Sequence, residues 1–301
     1  MNKTKNLIAL TRPKQWVKNV FVILPFLFIA NDVGFGDLIL GFQMVLIFGL
    51  ASSSVYCFND IYDAAIDKSE NRTHRPIAMG RVSSYEAGIL SAFLFFCSVA
   101  LCLNLAPNTS YSVLIILFYI SINYLYSKFK LKQYSSVGLM IVASGFPLRF
   151  LFGTVFLQLE ISYWALIMLL YLSLFLLAGK RLSRRTQHRN QSNDEICRIA
   201  QEHPDGESDF WKSILIILGA ASISSYLAFL ADGKTQEHWG NSISLFSVVP
   251  YSLFVLSYFE GVVKQKQLGD STENITTNIN FLAMGLVWCL VMFVARLSQL
   301  Q

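Results

Sequence analysis

Between residues 38 and 58 the chain runs for 21 residues without a charged side chain. A run of that length is long enough to cross the hydrocarbon core of a bilayer as a helix. Similar runs recur at 17–31, 85–106, 111–126, 136–157, 163–179, 214–231, 243–261 and 279–295, so the sequence predicts nine spans. The first is short and contains Pro25, which predicts a kink or tilt there. With 54% hydrophobic and 14% charged residues and a mean hydropathy of +0.48, the composition agrees with a membrane protein. The expected fold is therefore an all-α integral membrane protein, one transmembrane domain over 1–301. No stretch near the start combines a short apolar core with a small-residue cleavage site. Cys57, Cys97, Cys102, Cys197 and Cys289 are scattered, which suits packing rather than disulfides or metal ligation.

The charges orient these runs. Of 24 Lys and Arg residues, all but Arg149, Lys234 and Arg296 lie before or at the start of the first run, or follow the second, fourth, sixth and eighth. The positive-inside rule then places the N-terminus in the cytoplasm and the C-terminus outside. The net charge of +5 is explained by that alternation, and no nucleic-acid partner is expected. The longest connection, 180–212, is cytoplasmic and carries mixed charge and the turn signal His203-Pro204-Asp205-Gly206.

Directly after the run at 38–58 comes Asn59-Asp60-Ile61-Tyr62-Asp63-Ala64-Ala65-Ile66-Asp67. On a helix, spacings of three and four put Asn59, Asp60, Asp63 and Asp67 on one face. Three carboxylates side by side at a membrane boundary repel each other and are costly to desolvate. A hard divalent cation relieves both costs, and Mg²⁺ characteristically adds substrate phosphates and water as ligands. The plain alternative is a solvated polar helix end. Arg72, His74, Arg75, Pro76, Gly80 and Arg81 follow closely, and carboxylates beside arginines suit a metal-bridged diphosphate.

This motif, with Arg75-Pro76-Ile77-Ala78-x-Gly80 behind it, resembles the first aspartate-rich motif of the UbiA-type intramembrane prenyltransferases. Three further stretches are similar to one branch of that superfamily, the decaprenyl-phosphate phosphoribosyltransferases. They are Arg12-Pro13-Lys14-Gln15-Trp16-Val17-Lys18-Asn19, then Leu131-Lys132 with Gly145-Phe146-Pro147-Leu148-Arg149-Phe150-Leu151-Phe152-Gly153, then Leu174 to Arg181. The resemblance implies about nine helices around a central cavity open to the cytoplasmic side of the inner membrane. It implies transfer of 5-phosphoribose from phosphoribosyl pyrophosphate to a polyprenyl phosphate. Asp60, Asp63 and Asp67, helped by Asn59, would hold Mg²⁺ against the donor diphosphate. Lys14, Lys18, Asn19, Asn59, Arg75, Lys132, Arg149 and Lys180 would bind substrate. The lipid tail would enter the cavity laterally from the bilayer.

Each of these also has a plainer reading. Lys14 and Lys18, four apart on one helical face, with Trp16 at the interface, make an ordinary membrane anchor. Pro13 suits a first helical turn. Arg149 lies within an apolar run, where a charge needs a polar surrounding and a partner; a phosphate, a motif carboxylate or a structural ion pair would serve. Lys180 and Arg181 end the sixth run as topology-setting cations do. Tyr124 and Tyr126 border either a site or an interface. His188, His203 and His238 lie in loops without ligand spacing.

The superfamily's prenyltransferases normally carry a second aspartate-rich motif near the end of span six. This chain has none there, which favours phosphoribosyl over prenyl transfer; Lys180 would supply fixed positive charge instead. Transfer from a prenyl diphosphate to a small acceptor is the first alternative, and a non-catalytic lipid carrier the second. Gly138, Arg184 and Asn278 stand where the branch tends to carry acidic residues.

Overall fold

The computed structural model describes residues 3–28, 35–69, 72, 75–131, 135–191, 204–233, 235–236, 245–263 and 279–297. The expected residues His74, Lys132, Lys234, Ile243 and Asn278, and loop residues 192–203, lie outside this set. Every regular element among the described residues is helical. Among the described residues, six helices are long and apolar enough to cross a membrane. In a bilayer this is what the backbone demands, since a helix satisfies its own N–H and C=O groups where no water is available.

The chain divides into two compact units, Met1–Ile161 and Ser162–Gln301. The first contains α1 (Lys3–Leu10), α2 (Val20–Ile23), α3 (Phe35–Ser69), α4 (Ser84–Leu105), α5 (Thr109–Lys128) and α6 (Ser135–Phe156). Expected and observed bounds of α4, α5 and α6 agree within about two residues, because continuous apolar runs leave little choice of register. α4 opens on a capping box, in which Ser83 and Glu86 satisfy each other's backbone N–H groups.

The first expected span is not one helix. Residues Pro13–Asn19 form a 3₁₀ helix, Val20–Ile23 one α-turn, and Leu24–Phe28 a second 3₁₀ helix. Pro25 accounts for the second break, since it supplies no N–H. The segment docks on α6 by close approach: a Cβ on Gly153 would lie 2.0 Å from the Val22 carbonyl oxygen. The 3₁₀ geometry also revises the expectation for Lys14 and Lys18. At three residues per turn, side chains four apart point to different faces; Lys14 is exposed and Lys18 is partly buried.

α3 organises this unit. Its 35 residues amount to about 50 Å of helix, well beyond a ~30 Å hydrocarbon core. The expected span ended at 58, but the helix continues unbroken through the aspartate motif to Ser69. Of three consecutive serines, Ser52 bonds within the helix while Ser53 and Ser54 tie it to different neighbours, because successive helical residues point about 100° apart. Ser52 Oγ donates to the Gly49 carbonyl at 3.0 Å, Ser53 Oγ to the Thr11 carbonyl at 3.0 Å, and Ser54 Oγ to the Ser91 carbonyl of α4 at 2.8 Å. Below them Val22, Met44, Ile47, Phe48, Ile116 and Phe152 form the apolar core.

The second unit contains α7 (Tyr163–Gln191), α8 (Pro204–Ala231), α9 (Val248–Val263) and α10 (Ile279–Leu297). Several of its buried hydroxyls are paired, as a low-dielectric interior favours. Trp288 Nε1 donates to Tyr226 OH at 2.7 Å, and Tyr226 OH also meets Ser247 Oγ at 2.5 Å. Tyr251 OH pairs with Ser222 Oγ at 2.5 Å, and Tyr258 OH donates to the Leu176 carbonyl at 2.7 Å. Lys180 is partly buried on α7.

Candidate active site

The end of α3 carries the expected acidic face. Asp60 is 3% exposed and Asp67 equally buried, while Asn59 and Asp63 are partly buried. Buried carboxylates need partners, and here arginines supply them. Asp60 Oδ1 accepts from Arg75 Nη1 at 2.8 Å and also from Arg12 Nη2. Asp67 Oδ1 accepts from Arg72 Nη1 at 2.9 Å, and its Oδ2 lies 3.7 Å from Arg75 Nε. Arg75 therefore spans two carboxylates seven residues apart.

Local backbone structure places the arginines. The Arg72 N–H closes the helix by bonding to the Asp67 carbonyl at 3.0 Å, and the Arg75 N–H bonds to the Arg72 carbonyl at 3.0 Å. The chain thus folds back over the acidic face as soon as α3 ends. The Pro76–Gly80 turn follows, with Gly80 at φ +67°, a left-handed conformation that favours glycine. Arg12 arrives from the other side and stacks 5.0 Å above the Tyr56 ring. Arg12 Nε and Arg75 Nε are buried and find no hydrogen-bond partner among the described residues.

Asn59 is held by α5, whose Ser127 hydroxyl donates to its side-chain oxygen. Tyr124, read from the sequence as bordering either a site or an interface, ties helices together. Its hydroxyl meets Ser54 at 2.7 Å and Ser91 at 2.9 Å, and its ring stacks on Phe58 at 4.0 Å.

Arg149 is 4% exposed in the interior of the unit. Its protein partners are neutral, in contrast to the motif carboxylate or structural ion pair among the alternatives the sequence offered. Nε donates to Asn19 Oδ1 at 3.1 Å, Nη1 to the Gly145 carbonyl at 2.6 Å and Nη2 to Tyr119 OH at 3.2 Å. The guanidinium also lies 5.0 Å from the Phe48 ring centre and 5.3 Å from that of Tyr119. Aromatic faces and oriented dipoles stand in for a counter-ion. Two expected substrate residues, Asn19 and Arg149, are thereby brought together, away from contact with the carboxylates.

The structure adds Arg12 to the expected residues. Sequence reasoning placed it in a motif but gave it no role, because its contact with Asp60 crosses 48 positions.

The donors available to a metal are carboxylate and amide oxygens, the set a hard cation such as Mg²⁺ takes. Among the described residues no three of these side chains converge on one point. Asp60 and Asp67 are about 10 Å apart along the helix axis, so neighbouring pairs, rather than the whole row, fit a single ion. The chemistry fits a metal that takes its remaining ligands from substrate and water.

The site is thus the projecting end of a long membrane helix that carries carboxylates clasped by arginines. The profile of the UbiA prenyltransferase family matches residues 19–194, and the chain belongs to that family. It is an integral membrane protein and a transferase. It is 28% identical to a decaprenyl-phosphate phosphoribosyltransferase of Mycobacterium tuberculosis, over 85% of this chain and 83% of that protein. It is 26% identical to one from Corynebacterium glutamicum, over 97% of this chain and 88% of that protein. A UbiA homolog from Archaeoglobus fulgidus, solved bound to DMAPP and Mg²⁺, shares the fold with a TM-score of 0.68 at 14% identity, covering 98% of each chain.

Proposed function

We propose that this protein transfers 5-phosphoribose from phosphoribosyl pyrophosphate to a polyprenyl phosphate and releases pyrophosphate. The observation that carries this reading is the carboxylate–arginine cluster at the end of α3. Its ion pairs can be exchanged: carboxylates can turn to a cation, and the freed guanidinium groups to phosphate oxygens. The buried Nε–H groups of Arg12 and Arg75, which make no hydrogen bond among the described residues, are available donors for an anion.

Asn59, Asp60, Asp63 and Asp67 would hold Mg²⁺, neighbours sharing an ion with the donor's phosphates. When bound, the metal offsets charge on the leaving pyrophosphate. Arg75 and Arg12 would turn to the diphosphate and orient it, aided by Lys14, Lys18, Lys132 and Lys180. The C1–O bond of the donor breaks with its electron pair going to pyrophosphate, and a lipid phosphate oxygen bonds to C1. That phosphate is already ionised, so no strong general base is needed. Asn19 and Arg149 enter this reading by holding the segment that carries Lys14 and Lys18. The apolar tail would reach the site from the bilayer, and the site would face the cytoplasm within a nine-span domain of the inner membrane.

Two things favour a phosphoribosyl over a prenyl donor: the relatives' activity, and the composition of α7. Helix Tyr163–Gln191 contains no acidic residue but carries Lys180, Arg181, Arg184, Arg185 and Arg189, where a second carboxylate pair would be needed for prenyl transfer.

The test supplies purified protein with Mg²⁺, a polyprenyl phosphate and either phosphoribosyl pyrophosphate or a prenyl diphosphate with an aromatic acceptor. Mass spectrometry of the lipid should give a phosphoribosyl adduct in the first arm only. A prenylated acceptor in the second would overturn the assignment in favour of the prenyltransferase reading.

A further inference from the structure

Residues Gly49, Ser53, Tyr56, Asp60, Asp63 and Asp67 alternate spacings of four and three along α3, so they form one continuous stripe. Its lower half is neutral and seats the N-terminal segment. Ser53 is fully buried; its Oγ donates to the Thr11 carbonyl at 3.0 Å and accepts from Trp16 Nε1 at 3.0 Å. One hydroxyl thus grips the chain on both sides of Arg12. Gly49 makes room for this: a Cβ there would lie 2.9 Å from the Trp16 ring. Arg12 itself stands at φ 48°, ψ 62°, a left-handed conformation costly for a residue with a Cβ. It is held there, stacked on Tyr56 one turn above Ser53, with its guanidinium on Asp60.

We propose that Ser53, with Trp16 and Gly49, is a positioning device that fixes Arg12 over the carboxylate face. This rests on the reading of that face as the donor diphosphate site. Ser53 touches no substrate; it acts through Arg12, by holding the residues on either side of it. The geometry gives Trp16 a task beyond anchoring at the interface, because its N–H has one acceptor and that acceptor is Ser53.

The probe is magnesium pyrophosphate, the donor's leaving group with its metal, titrated calorimetrically into the full chain in detergent. Ser53→Ala should weaken binding about fivefold, the equivalent of one buried hydrogen bond. Trp16→Phe, which keeps a ring and removes the N–H, should do the same, and Gly49→Ala should match it by displacing the indole. Arg12→Ala should cost more than any of these. The decisive measurement repeats Ser53→Ala and Trp16→Phe in the Arg12→Ala background, where neither should have a further effect. Equal losses in both backgrounds would overturn the positioning role in favour of general packing, and wild-type affinity in Ser53→Ala and Trp16→Phe would overturn it outright. Absence of binding by the unmutated chain would remove the diphosphate site itself and the inference with it. That outcome is distinct from the failure of the variants alone.

Discussion

Two arginine environments in the first unit solve the same problem in opposite ways. Arg12, Arg72 and Arg75 meet Asp60 and Asp67 at the end of α3, charge against charge. Arg149 is buried between α6, α5 and the N-terminal segment with an amide, a carbonyl, a phenol and aromatic faces around it. The first arrangement is exchangeable. Its side chains remain 19–35% exposed on the arginine side, so water, metal or phosphate can replace either partner. The second has no exposed edge, and its bonds link Asn19 to α5 and α6. Under the proposed function the ion pairs at the rim work on substrate, and the cation solvated by protein inside acts as a joint. The contrast predicts that damage to the first is read in turnover and damage to the second in stability.

The largest effect should follow Asp60→Asn. The substitution keeps the side chain's size and leaves Arg12 and Arg75 facing a neutral amide. Loss of a preorganised charge at a reacting centre is expected to lower transfer about a thousandfold, with little change in detergent unfolding because both arginines can turn to solvent. Unfolding in step with inactivation would break the comparison and make the cluster structural.

Arg149→Met should do the reverse. It fills space but leaves the Asn19 amide and the Tyr119 hydroxyl unpaired in the interior, at about 3 kcal/mol in total. Folded protein should retain donor affinity. A stable Arg149→Met protein that binds donor or lipid poorly would instead restore Arg149 as a phosphate ligand, the role its position in the sequence suggested.

How much of this was legible beforehand depends on the range of the interactions. Spans at 85–106, 111–126 and 136–157 were readable because hydrophobicity alone fixes them. The acidic face was readable because spacings of three and four are local. The run at 17–31 misled because a 3₁₀ segment and an α-helix have similar composition, and only docking on Gly153 and α3 selects the former. The Arg12–Asp60 pair and the neutral setting of Arg149 depend on packing between distant segments. A trace of the former was present: the spacing of Asp60, Asp63 and Asp67 extends back through Tyr56 and Ser53 to Gly49, which marks a face that binds something along its whole length.

Within the acidic cluster the two turn arginines should separate. Arg75 contacts both carboxylates and is 19% exposed, whereas Arg72 hydrogen-bonds to Asp67 and is 35% exposed. Arg75→Ala should weaken binding of the phosphoribosyl donor about tenfold, and Arg72→Ala about twofold, as for a more solvated pair. Equal effects would mean that bridging by Arg75 contributes nothing beyond its charge.

The smallest effect should come from Tyr119→Phe, which removes one hydroxyl and leaves the ring beside the guanidinium. The lost bond, from Arg149 Nη2 at 3.2 Å, is long, and one intramolecular hydrogen bond contributes about 1 kcal/mol. The ring face, 5.3 Å from the guanidinium centre, survives the change. If dipoles and π faces share the burden, unfolding in detergent should shift by no more than about that amount and transfer should be unchanged. A loss as large as that of Arg149→Met would mean that the phenol alone carries the cation. The aromatic faces would then be packing only, and the joint would depend on a single bond instead of a cage.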